Sequence, residues 1–331
     1  MKITFKILRW IIGLGIVSAV GLWLAFTVSP WPGVLLIRMV FDKGAADASA
    51  ALVKHLPAGL VARTDLVYDP ASPSGKLDAY YPASATGQKL TTVVWVHGGG
   101  YVSGRKEDIG NYARVLAGKG FVVVSVDYTI APEAQYPTPI RQVNAALAWL
   151  AKNEAGLPVD DKKIVLAGDS AGSGIVAQLA NVIAVPAYAR DLGLEPAIPR
   201  PSLVGVILHC GVYGIDGISL DGGFGGFLKI ALWSYFGRKD ALADPRIDQF
   251  SVVRHVTADF PPAFISAGNA DPLLPQSQAM AAALKAKGAK VDELFFPPHH
   301  VPALGHEYQF NLDTKEGQEA LERAVRFLKE L

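Results

Sequence analysis

Five short runs of β-branched and aliphatic residues constrain this chain more than anything else in it. They are Thr91–Val96 (TTVVWV), Phe121–Val126 (FVVVSV), Lys163–Ala167 (KIVLA), Leu203–Leu208 (LVGVIL) and Ala263–Ser266 (AFIS). A strand with one wet face alternates apolar and polar residues. Continuous apolar runs instead need cover on both faces, as in a parallel sheet. Between and after these runs lie segments with helical spacing: Ile140–Asn153, Pro275–Lys287 with Gly288 as a stop, and a charged-faced Thr314–Leu331. A further strand is expected at Val291–Phe296. Strands alternating with helices give a doubly wound α/β sheet. The stretch 184–251, with Pro186, Pro196, Pro199 and Pro201 and then the glycine-rich Asp221–Phe227, fits the alternation poorly and reads mostly as an insertion outside the sheet.

The N-terminus obeys another rule. Lys2, Lys6 and Arg9 precede Trp10–Ser29, twenty residues without a charge. At ~1.5 Å per residue such a helix spans ~30 Å, the thickness of a bilayer core. A secretory signal has a shorter apolar region, and its nearest cleavage site, Val17-Ser18-Ala19, would cut this run in half. The expectation is an uncleaved single-pass anchor with a cytoplasmic N-terminus and the remainder outside; a cleaved leader and a secreted form are the alternative. Pro30 and Pro32 end the run, and Val34–Phe41 (VLLIRMVF) comes next as a short apolar helix suited to a membrane surface or to covering another part of the protein. Elsewhere the charge is balanced, 31 basic against 30 acidic residues with no basic run, which argues against a nucleic-acid partner. The single cysteine, Cys210, allows no internal disulfide, and no zinc-ligand spacing occurs.

Gly168-Asp169-Ser170-Ala171-Gly172 sits where a strand ends and a small-residue helix begins. A serine on such a sharp turn projects from the sheet edge as a nucleophile, beside helix N–H groups that can meet negative charge. His97-Gly98-Gly99-Gly100-Tyr101, also directly after a strand, can turn backbone N–H groups towards an oxyanion. An acid and a histidine should come later in the chain, in that order. Asp271, just past the strand Ala263–Ser266, is the expected acid, ahead of Asp292 and Asp313. His306 is the expected base, with His299 and His300 as the alternative pair. His97, His209, His55 and His255 and the thiol of Cys210 carry structural expectations only, and Asp169 is expected to hydrogen-bond near the turn.

With HGGGY at His97–Tyr101, DYTIAPEAQYP at Asp127–Pro137 and GDSAG at Gly168–Gly172, the chain resembles the hormone-sensitive-lipase-like branch of the α/β-hydrolases over roughly residues 60 to 331. Thr129 and Ile130 depart from the middle motif, and Glu307 stands after His306 where the family usually has Gly. The resemblance implies an α/β-hydrolase fold: a mostly parallel central sheet with helices on both faces and a helical cap, here preceded by a transmembrane helix. With the apolar run read as a 1–30 anchor or signal outside the resemblance, the division is 31–60 N-terminal cap helix region, 61–183 and 252–331 catalytic domain, and 184–251 cap insertion. The resemblance further implies a serine carboxylesterase for short- to medium-chain esters. Ser170, Asp271 and His306 would form its triad, Gly99, Gly100 and the Ala171 N–H its oxyanion donors, and Gly98 would shape their loop. No cofactor or metal is expected. The expected partners are a small or lipid-like ester and the membrane, and a homodimer is compatible with them. A deacetylase, amidase or acyltransferase on the same machinery, or a non-catalytic receptor of this fold, is the alternative.

Overall fold

A computed structural model describes residues 2–85, 87–153 and 155–331; the side chains of residues 2–6, Lys2 and Lys6 of the basic flank among them, lie outside that description. Among the described residues, eight strands form one sheet: β1 (Leu60–Val67), β2 (Lys76–Pro82), β3 (Leu90–Val96), β4 (Val122–Val126), β5 (Val159–Asp169), β6 (Leu203–His209), β7 (Ala263–Ala267) and β8 (Val291–Phe295). Their order is β1-β2-β4-β3-β5-β6-β7-β8. The pairs β1–β2 and β2–β4 are antiparallel and every other pair is parallel.

The helices are α1 (Lys2–Val28), α2 (Trp31–Ala51), α3 (Gly110–Ala117), α4 (Thr138–Lys152), α5 (Ser170–Ala184), α6 (Pro186–Leu192), α7 (Gly222–Phe236), α8 (Ile247–Phe250), α9 (Leu274–Ala286) and α10 (Lys315–Glu330). The five apolar runs became strands because both their faces are covered. Along β3, Val94 and Val96 point into one core with Ile140 of α4, Ile175 of α5 and Met280 of α9. Val93 and Trp95 point into the other with Tyr112 and Leu116 of α3 and Ala320 and Phe327 of α10. Local chemistry sets the helix ends: Thr314 Oγ1 accepts from Gly317 N at 3.1 Å to cap α10, and Asn153 closes α4 in the left-handed conformation.

Three expectations need correction. The strands β1 and β2 lie where no strand was expected. The helix expected at Val34–Phe41 is longer, running from Trp31 to Ala51, because Ala45–Ala51 (AADASAA) is a good helix former that carries it on past the apolar part. The segment 184–251 is not one insertion: β6 runs through it and is hydrogen-bonded between β5 and β7. Both of its flanks lie outside the sheet: α6 before β6, and α7 and α8 between β6 and β7.

Within α1, Ile7–Val28 is long and apolar enough to cross a membrane, with mean hydropathy 2.2 and none of it buried against the rest of the chain. A signal sequence near an N-terminus can also be apolar enough to give such a helix. The body is built so that β3 and β5 are neighbours from which the chain departs in opposite directions. Ligand sites of open α/β sheets lie beyond the carboxyl ends of such strands, and there both glycine motifs are found.

Candidate active site

β5 ends at Asp169 and α5 begins at Ser170, so the chain turns from strand to helix in one step. Ser170 accommodates this with φ +50, a left-handed conformation that a non-glycine residue holds only under strain. The flanking glycines are sterically required. A Cβ on Gly172 would lie 2.1 Å from the Val96 carbonyl oxygen, and one on Gly168 would lie 2.7 Å from the backbone of Gly172. Ser173 Oγ secures the turn by donating to the carbonyls of Gly168 at 2.6 Å and His209 at 2.8 Å.

His306 Nε2 lies 2.9 Å from Ser170 Oγ, and its Nδ1 lies 2.9 Å from Asp271 Oδ2. Asp271 is fixed in turn, its Oδ1 accepting from Leu273 N at 2.7 Å. The loop before His306 is stitched to the turn after β7. Asn269 Oδ1 accepts from Leu304 N at 2.8 Å, and Ala270 N donates to Leu304 O at 2.9 Å. This stitching holds the first part of the loop away from Ser170 and delivers His306 to it. His300 bonds Glu316 at 3.0 Å instead, and His299 is exposed. Asp313 pairs with Lys54 and His55, and Asp292 with Arg323, so neither reaches the serine. His255 pairs with Asp248.

The His97–Tyr101 loop folds over the same point. Gly98 differs from its neighbours: its N–H donates to Asp169 Oδ2 at 2.8 Å, so it ties the loop to the turn. Trp95 Nε1 donates to the other oxygen of Asp169 at 2.7 Å. Gly99 and Gly100 have φ +98 and +62, conformations that suit glycine. His97 supports the loop from behind, stacked on Tyr128 with ring centroids 4.3 Å apart and its Nδ1 2.9 Å from Gly98 O.

A cavity of about 360 Å³ opens above Ser170 and His306. Val40 and Phe41 of α2 and Phe224, Phe227 and Leu228 of α7 line it. Phe227 packs against the glycine loop so closely that a Cβ on Gly100 would come within 2.4 Å of its ring. The two helices meet there, with the Phe41 and Phe227 rings 5.2 Å apart.

Two neighbours of His306 carried no functional expectation. Glu307, in the left-handed conformation at φ +60, brings Oε1 to 3.7 Å from His306 Nε2. Its presence in place of the expected Gly was the signal available in the sequence. Burial, reinforced by Glu307, holds the Asp169 carboxyl well above the usual carboxylate range. Burial disfavours the His306 imidazolium, but Cys210, Asp271 and Glu307 outweigh it and hold the ring well above its ordinary value. The second neighbour is Cys210, buried, its thiol raised by burial. Its sulfur and the ligand atoms of Asp271 and His306 lie within 4.8 Å of one another. Among the described residues this is the one His, Cys and carboxylate group close enough for a metal, and two of its members are already bonded in the Ser170 chain.

A family model described as "alpha/beta hydrolase fold" matches residues 93–301. The chain is similar to esterase LipI of Mycobacterium tuberculosis, 32% identical over 253 residues that cover 74% of each chain. Its fold is shared by esterase B of Lactobacillus rhamnosis, with TM-score 0.78 and 23% identity over 90% of this chain and 96% of that one. A hyperthermophilic esterase from Pyrobaculum calidifontis aligns with TM-score 0.69 and 26% identity over 95% of this chain and 97% of that one.

Proposed function

The chain is an ester-hydrolysing member of the α/β-hydrolase family, in its hormone-sensitive-lipase-like branch, and we propose that Ser170, His306 and Asp271 carry its carboxylesterase chemistry. The observation behind this is the unbroken chain of 2.9 Å contacts from Ser170 Oγ through His306 to Asp271 at the carboxyl end of the sheet. Ser170 O–H donates to Nε2 of neutral His306, whose Nδ1–H donates to Asp271. As Oγ attacks the acyl carbonyl, His306 takes the proton and Asp271 stabilises the imidazolium. Backbone N–H groups of Gly99, Gly100 and Ala171 receive the oxyanion, each worth on the order of 3 kcal/mol in the transition state. Gly98 contributes by positioning, since its own N–H is engaged by Asp169. His306 then protonates the departing alcohol, and a water deprotonated by the same ring releases the acid.

In this reading α2 and the α7–α8 segment form a cap whose aromatic lining selects short- to medium-chain acyl groups, and α1 anchors the enzyme in a membrane with the catalytic domain outside. The test is activity on a series of acyl-chain esters for His306→Ala and for the double variant His299→Ala/His300→Ala. Loss of activity in His306→Ala alone supports the assignment; loss only in the double variant rejects it.

A further inference from the structure

The helix α2 divides along its length into two faces that the cavity alone does not explain. One face is engaged with the body. Val34 is fully buried, a Cβ on Gly33 would meet Ile230 at 2.7 Å, and Phe41 lines the cavity. Arg38 bolts this face down, its Nε donating to Val102 O at 2.7 Å and its guanidinium paired with Glu133 at 2.6 Å. The other face presents Trp31, Leu35, Leu36, Met39 and Val40 to the outside, exposed by 41% to 66%. The spacing is helical, so these five form one apolar stripe. It ends at Asp42 and Lys43, both exposed.

The position of this stripe identifies its cover. The apolar stretch Ile7–Val28 of α1 is 22 residues long, enough to cross ~30 Å of hydrocarbon at ~1.5 Å per residue, and α2 begins three residues after its end. A span ending at Val28 puts Trp31 at the headgroup level, where tryptophan is favoured. The orientation of the span is tied to the body, because Lys239 donates to the Thr27 carbonyl at 2.9 Å and stacks over Trp233. Lys239, bonded to the end of α1, and its chain neighbour Arg238 are both exposed, placing positive charge where anionic headgroups would lie. Val40, the last member of the stripe, also lines the cavity.

We propose that the outer face of α2 rests in the interfacial layer of the bilayer that α1 crosses, with the cavity mouth at Val40 and Phe41 turned towards the lipid, and that the ester cleaved is a bilayer-resident acyl lipid entering past these residues. The acyl chain enters the cavity alongside Val40 and Phe41 while the rest of the lipid remains in the membrane. The proposal rests on the esterase assignment of Ser170 and His306.

The test uses the full chain in phosphatidylcholine vesicles and two esters: nitrophenyl acetate from the water, and dioctanoylglycerol dissolved in the bilayer. The triple variant Leu35→Ser/Leu36→Ser/Met39→Ser changes the stripe without touching the cavity. It should lose about tenfold or more in octanoate release, while cleavage of nitrophenyl acetate stays within about twofold of the original rate. Equal loss on both esters marks a structural role for the stripe and overturns the proposal; so does unchanged octanoate release, or an original chain active on the acetate but inert on dioctanoylglycerol. As a folding-independent measurement, Leu36→Cys carrying a polarity-sensitive dye should be quenched by spin-labelled lipid, and a dye left fully in water also overturns it. Failure of the original chain on nitrophenyl acetate fails the esterase assignment instead.

Discussion

Replacing Glu307 with Gln should move the acid limb of the activity profile to lower pH. The carboxylate oxygen is 3.7 Å from His306 Nε2, the nitrogen that in the proposed mechanism must be unprotonated to accept the Ser170 proton. Two opposite charges at ~4 Å attract by about 1 kcal/mol in water and about 4 kcal/mol at an effective dielectric of 20. Both side chains are about one-third exposed, 30% for His306 and 35% for Glu307, which favours the lower figure. An attraction of roughly 1.4 kcal/mol corresponds to about one pH unit. A carboxylate stabilises the imidazolium, so its removal lowers the pH at which the base becomes free. The plot of log kcat/KM against pH, measured with a water-soluble ester, should therefore shift its acid limb down by about one unit in Glu307→Gln, with little change on the plateau. A limb that stays put, or moves up, would refute the claim that Glu307 bears charge beside the base. Glu307→Gly separates the backbone contribution: it removes the left-handed strain at φ +60 but should give the same downward shift.

Other perturbations act on neighbouring parts. Gly100→Ala places a Cβ at φ +62 and 2.4 Å from Phe227, at a backbone cost of roughly 1–2 kcal/mol. Its kcat/KM should fall about a hundredfold through displacement of the loop, with partial recovery in Gly100→Ala/Phe227→Ala. His209 is buried, with its pKa pushed down to about 3 from 6.5, so it stays neutral in the fold while the unfolded chain takes up a proton below pH 6.5. Its contribution to stability is complete above about pH 6.5 and is lost as pH falls towards about 3, at up to about 1.4 kcal/mol per pH unit. Urea unfolding across that range should give a shallower pH dependence for His209→Gln, and an unchanged slope would count against this.

The central strands were legible in the sequence because burial on both faces leaves an unbroken apolar run. The two antiparallel strands were not. The β1 residues Arg63–Asp65 are exposed, its pairing slips between Arg63 and Leu66, and Asp65 takes φ +55. In β2, the buried Asp78 pairs with the buried Lys106 at 3.0 Å, and a charge inside a strand breaks the apolar pattern. The run Leu203–Leu208 had the signature of a strand, but the proline- and glycine-rich flanks argued for an insertion around it. The strand-to-helix turn at Ser170 was legible because its glycines are required by close backbone packing that short-range sequence encodes. His306 was already preferred over His299 and His300, but what brings it to Ser170 was not legible, since it depends on how Asn269 pins a loop about thirty-five residues away in sequence. Cys210 was missed for the same reason: only the juxtaposition of β6 and the His306 loop brings the thiol to His306.

The claim that Ser170 is the nucleophile can be tested directly with a fluorophosphonate, which phosphonylates only a serine activated by a base. The folded full chain should take up one equivalent, with the adduct mapped to the peptide carrying Ser170, and labelling should vanish in Ser170→Ala and fall by orders of magnitude in His306→Ala. Folded protein that stays unlabelled, or that carries the adduct on another residue, would contradict the account.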